Sequence, residues 1–118
     1  MNYVNWSKTE KKIAREAFDK AYERECAYLA GRILEKANQI KKPEDIWELH
    51  DFLTEKKKEV DQKYDYRYSM LELVFARLIK DGWLDFTDLK GLNEEKIEQL
   101  QRLLRLSKSD KNNKDVPV

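Results

Sequence analysis

From Ser7 to about Gln39 no proline interrupts the chain, and apolar residues recur at helical spacing throughout. Ile13, Ala14, Ala17, Phe18, Ala21, Tyr22, Leu29, Ile33, Ala37 and Ile40 form one wide stripe, while Lys, Arg, Glu and Asp fill the remaining positions. Ser7 and Glu10 stand three apart at its start, the spacing of a capping box. Gly31 lies inside the pattern and costs roughly 1 kcal/mol relative to alanine. A helix of this length reaches about 50 Å at a rise of roughly 1.5 Å per residue. A compact globule of the same chain would have a radius of gyration of only about 13–14 Å. Part of the stripe therefore outruns what one copy can cover. The simplest cover is a second copy, so a symmetric homodimer is expected.

A second helical stretch follows the short turn Lys41-Lys42-Pro43 and runs to about Gln62. Proline at its first position, then Glu44 and Asp45, is a good helix start, since acids suit the positive end of the helix dipole. At about 100° per residue, Ile46, Leu49, Leu53, Val60 and Tyr64 share one face, read as the core face. Trp47, His50, Asp51, Thr54 and Lys58 fall on the neighbouring face, which combines a large aromatic, the only histidine, a carboxylate and an amine. From Tyr66 to Lys80 the chain is apolar on most sides, the pattern of a buried helix that Asp61 or Asp65 could cap. Gly82 suits a left-handed cap, Thr87–Lys90 reads as a single helical turn, and Asn93 caps a last helix with Ile97, Leu100, Leu103 and Leu104 as its stripe.

The composition agrees with long charged helices. Charged residues make up 40% of the 118, and 3 glycines and 2 prolines leave too few turns for an all-β fold. The expected class is all-α: an elongated helical homodimer with a long-helix stem and small helical heads. Residues 1–106 form a single domain, with the stem at about 7–62 and the head at about 63–106, and 107–118 read as a disordered polar tail. Ile33, Ile40 and Ile46 are the expected dimer residues.

Function classes can be narrowed in the same way. With 24 basic and 23 acidic side chains the formal charge is +1, and no basic patch stands out, so no nucleic-acid binding is expected. No run is long and apolar enough to span a membrane. The single cysteine, Cys26, is far in sequence from His50, and neither sits in a nucleophile, phosphate-loop or HExxH motif. Neither an enzyme nor a cofactor or metal site is expected. A cytoplasmic location is expected. What remains is Trp47. It reads either as a core or dimer residue or as the aromatic anchor of a protein-binding hot spot flanked by orienting charges.

The chain resembles the cyanobacterial fluorescence recovery protein family. The likeness begins at Trp6-Ser7, runs through Phe18-x-Lys20-Ala21-Tyr22-x-Arg24-Glu25, and is densest from Trp47-x-Leu49-His50-Asp51-Phe52-Leu53. It continues through Lys56-Lys57-x-Glu59-Val60-Asp61 and Lys63-Tyr64-Asp65-x-Arg67-x-Ser69, then Val74-Phe75-Ala76-x-Leu78 and Lys80-x-Gly82. This resemblance implies a helical homodimer without a cofactor. It would bind the photoactivated orange carotenoid protein through that protein's C-terminal domain, speed its return to the dark orange form, and help it leave the phycobilisome, ending quenching. The partner-binding cluster carried over by position is Trp47, His50, Asp51 and Lys57. Lys57 stands where arginine is expected, Phe52 where tyrosine is common, and Leu73 where an aromatic is expected. The alternative is a similar dimeric scaffold that binds another protein in a bacterium without phycobilisomes.

Overall fold

The structure is a computed structural model of one chain and describes residues 5–114, with side chains for residues 5–107. Four α-helices and one short 3-10 turn follow in order: α1 (Lys8–Asn38), α2 (Pro43–Lys63), α3 (Leu71–Asp81), the turn (Phe86–Leu89) and α4 (Glu94–Lys114). There is no strand among the described residues. The chain is all-α, and its radius of gyration of 17.5 Å and extents of 55 × 40 × 26 Å make it elongated.

Local chemistry starts and stops these helices. The Ser7 hydroxyl accepts from the Glu10 N–H at 3.1 Å, and the Glu10 carboxylate accepts from the Ser7 N–H at 3.1 Å, closing both halves of the capping box. At α2 the Asp45 carboxylate reaches back to the N–H groups of Lys41 and Lys42, at 2.9 and 3.2 Å. Helix α3 ends on Gly82, whose φ of 90° is the left-handed cap conformation. Asn93 accepts from the Lys96 N–H at 3.0 Å and so caps α4.

Helix α3 begins at Leu71, five residues later than the apolar pattern suggests. Tyr64–Arg67 are irregular and Tyr68–Met70 form a turn. This lets Tyr66 pack on Phe18, ring centroids 4.8 Å apart, while Tyr68 lies 6.0 Å from Trp6. In a helix, residues two apart point in widely different directions. Neither Asp61 nor Asp65 caps α3: Asp61 pairs with Lys57, Asp65 pairs with Arg67, and Met70 stands at the cap position.

The core is built by the first half of α1 together with α3, the 3-10 turn and α4. Ala14, Ala17, Phe18 and Ala21 are buried against Leu71, Phe75, Leu78, Leu89 and Leu100. Trp6 is 5% exposed, edge-on to Phe75, and its indole N–H donates to the Tyr68 carbonyl at 3.2 Å. The packing thus divides the chain elsewhere than at residues 62–63. The first half of α1 belongs to the head, because its small residues let α3 and the 3-10 turn approach, while Glu10 reaches Lys96 of α4. The projecting hairpin is the second half of α1 with α2.

Helix α4 continues to Lys114, so the backbone of residues 107–114 is helical where a disordered tail is expected. No glycine or proline after Leu106 stops the helix before that point. Residues 115–118 of that expected tail, and residues 1–4, lie outside the described residues.

Candidate functional site

Helix α2 leans on α1 with Leu49, Phe52, Lys56, Val60 and Lys63, all half-buried or buried. The ammonium of Lys36 on α1 sits 4.6 Å from the Phe52 ring centroid. This contact face is turned from the expected one. Ile46 and Leu53 are 47% and 37% exposed in the single chain. They lie on the outer side, next to His50 and Lys57 at helical spacing, because the inner edge is set by Phe52 and Lys63. Ile46 and Leu53 of the expected core face therefore join Trp47 and His50 in one outer surface, apolar at the first two and polar-aromatic at the others, while Leu49 and Val60 stay on the inner side.

Trp47 is 64% exposed, which removes the reading of it as a core residue of this chain. Its ring centroid lies 6.4 Å from that of His50 with the planes at 72°, an edge-to-face arrangement one turn apart. His50 Nδ1 lies 3.6 Å from an Asp51 carboxylate oxygen, both side chains being well exposed. The Thr54 hydroxyl donates to the His50 carbonyl at 3.0 Å. Lys57 is held by Asp61 one turn on, at 2.8 and 3.0 Å, and this carboxylate raises the Lys57 pKa above the ordinary lysine value. Three of the four expected contact residues, Trp47, His50 and Asp51, are thus neighbours. Lys57 lies further along the same helix, with its charge already engaged.

The three expected dimer residues also sit on the hairpin: Ile33 and Ile40 are half-buried and Ile46 is exposed. Tyr22 at 45%, Tyr28 at 57% and Leu34 at 65% exposure add to the uncovered apolar area on α1.

Two ionic clusters, each around a buried lysine, carry no signal strong enough to be picked out from the sequence. Glu10, Lys96, Ser7 and Asn93 meet where α1 starts beside α4. Lys63, Glu25, Tyr64 and Asp81 meet where α2 ends. Burial, and then the Glu25 carboxylate beside it, push the Tyr64 phenol above its ordinary value. Lys63 is the one buried residue of α2, and only its place on the inner helix edge could have marked it.

Among the described residues no three His, Cys, Asp or Glu side chains gather as a metal site, and no helix is long and apolar enough to cross a membrane. An elongated all-helical chain with an exposed aromatic and charged helix face has the make-up of a protein-binding regulator. The model of the photoprotection regulator fluorescence recovery protein family matches residues 6–104. The curated fluorescence recovery protein of Synechocystis is 41% identical over 101 residues, covering 86% of this chain and 93% of that protein. The solved fluorescence recovery protein of Fremyella diplosiphon superimposes with a TM-score of 0.81 at 50% identity, covering 86% of this chain and 99% of that one. The Synechocystis structure gives 0.81 at 40% identity over the same shares. The chain belongs to the fluorescence recovery protein family, a family of photoprotection regulators.

Proposed function

We propose that the chain acts as a homodimer that binds the photoactivated orange carotenoid protein, mainly at its C-terminal domain, through Trp47, His50, Asp51 and Lys57. Binding speeds the return to the dark orange form and release from the phycobilisome, in the cytoplasm and without a cofactor. The observation that carries this reading is the exposed Trp47–His50 pair, on a helix face with no covering element among the described residues. An indole held edge-on to an imidazole is a large, rigid anchor that loses little entropy on docking. The uncovered Ile46 and Leu53 beside it, with Tyr22, Ile33 and Leu34 on α1 and Ile40 in the turn that follows it, support a second copy packed along the hairpin.

Acceleration then follows from differential affinity. A regulator that grips the domain arrangement on the path back to the orange form more tightly than the red form shifts the population and lowers the barrier. The test adds catalytic amounts of the protein to photoactivated carotenoid protein and follows absorbance in the dark. Faster relaxation is expected; an unchanged rate at micromolar dimer would overturn the reading.

A further inference from the structure

Helix α2 carries the candidate contact surface, yet it is weakly moored in its own chain. None of its apolar side chains is fully buried; its one buried residue is Lys63, at the last turn. The Lys63 ammonium donates to both Glu25 oxygens, at 2.7 and 2.9 Å, and to Asp81 at 3.3 Å. Glu25 is on α1 and Asp81 ends α3, so three helices meet at one side chain that is 8% exposed. The Tyr64 hydroxyl donates to Glu25 at 2.8 Å and closes the cluster from the residue that follows α2. At the other end, α2 is joined to α1 only by the turn at residues 39–42 and by half-buried contacts.

We propose that Lys63 is a positioning residue: pinned between Glu25 and Asp81, it fixes the angle at which α2 leaves the head and hence the direction in which Trp47 is presented. An ammonium donating to two carboxylates from different helices fixes an orientation more tightly than an apolar contact, since the donors and acceptors are directional. The joint also resists sliding at its buried member, because a shift would part the Lys63 ammonium from its carboxylates where little water can replace them. Leu49, Phe52 and Val60 supply adhesion along the hairpin, and the ionic joint supplies its angle. The geometric statement stands without the proposed function; the consequence for partner docking rests on that reading.

The experiment measures one intrachain distance. Spin labels are placed at Glu55→Cys on α2 and Glu98→Cys on α4, in a Cys26→Ser background, with excess unlabelled chain so that only intrachain pairs are read. A narrow distribution is expected with Lys63 present, and one roughly twice as wide in Lys63→Met, with most of the width recovered in Lys63→Arg. A fully helical Lys63→Met with an unchanged distribution overturns the proposal. If Lys63→Met loses helicity, Asp81→Asn and Tyr64→Phe replace it, each removing one link without stranding the lysine. Both should widen the distribution, and an unchanged width in both overturns the proposal. Added to the dark-relaxation assay, Lys63→Met should lower the maximal acceleration more than it raises the half-saturating concentration. A wild-type protein that accelerates nothing would dispose of the proposed function, while the distance would still decide the role of Lys63.

Discussion

Glu10 and Lys96, 86 residues apart in the chain, form an ion pair of 3.1 Å with side chains only 8% and 6% exposed. The Glu10 carboxylate also accepts from the N–H groups of Ser7 and Asn93. One carboxylate thus completes the cap of α1, anchors the start of α4, and neutralises the lysine whose ammonium lies 4.9 Å from the Trp6 ring centroid. Lys96→Met should cost about 2–4 kcal/mol, below the full penalty of a stranded buried charge because the two backbone donors remain. Urea unfolding at fixed protein concentration measures it.

The same residue sets an acid limit. Burial pushes the Glu10 carboxyl up, but the Asn93 and Ser7 N–H groups and the Lys96 ammonium outweigh it, and the net shift is below the ordinary 4.5. A carboxyl depressed in the folded state contributes stability that is present above pH 4.5 and lost as pH falls through the lower folded value. Asp88 adds to the same trend, held low by the Arg24 guanidinium against the upward push of burial. Stability should therefore fall below about pH 4.5, and the slope should be shallower in Glu10→Gln. Urea midpoints between pH 3 and pH 6, on the order of the carboxylate range, would show it.

Trp47→Ala should reduce acceleration of carotenoid-protein recovery about tenfold or more, the size of a lost aromatic hot spot. Helicity and unfolding midpoint should stay within about 0.5 kcal/mol of wild type, because the indole is largely in solvent. Circular dichroism and the dark-relaxation assay separate the two; a large stability loss would mean that the indole is sealed in the dimer.

For the proposed dimer, Ile46→Glu should give a monomer at micromolar concentration while leaving the head folded. Ile46 is 47% exposed in one chain, so a charge there costs little until a second copy covers it. Gel filtration with light scattering reads the outcome, and a retained dimer would remove Ile46 from the interface.

Gly91→Ala should destabilise the head by about 1–3 kcal/mol. Gly91 has φ of 107°, and an added Cβ would come within 2.5 Å of the Ile13 side chain on α1. Thermal unfolding checks it, and Ile13→Val in the same background should recover part of the loss.

Lys57→Arg should strengthen partner binding a few-fold. Asp61 already occupies the lysine ammonium, whereas a planar guanidinium can hold one carboxylate and still offer donors to another. Titration of the dark-relaxation rate measures it.

Much of this protein was set by local order along the chain. The capping box at Ser7, proline at the start of α2, the left-handed Gly82 and the Asn93 cap act over a few residues, so the sequence alone places three of the four helix starts. The exposed chemistry of Trp47, His50 and Asp51 was legible for the same reason, since side chains on one helix face are neighbours by spacing alone. Tertiary structure decided the rest. Packing on Phe18 and Trp6 accompanies the irregular backbone at Tyr66 and the turn at Tyr68 in place of a helix, and the meeting of α1 with α3 and the 3-10 turn draws its first half into the head. The pairing of Lys63 with Glu25 and Asp81, and of Lys96 with Glu10, could not be read from residue types that usually point to water. Their burial depends on which helices come together, and that is settled by the whole apolar core at once.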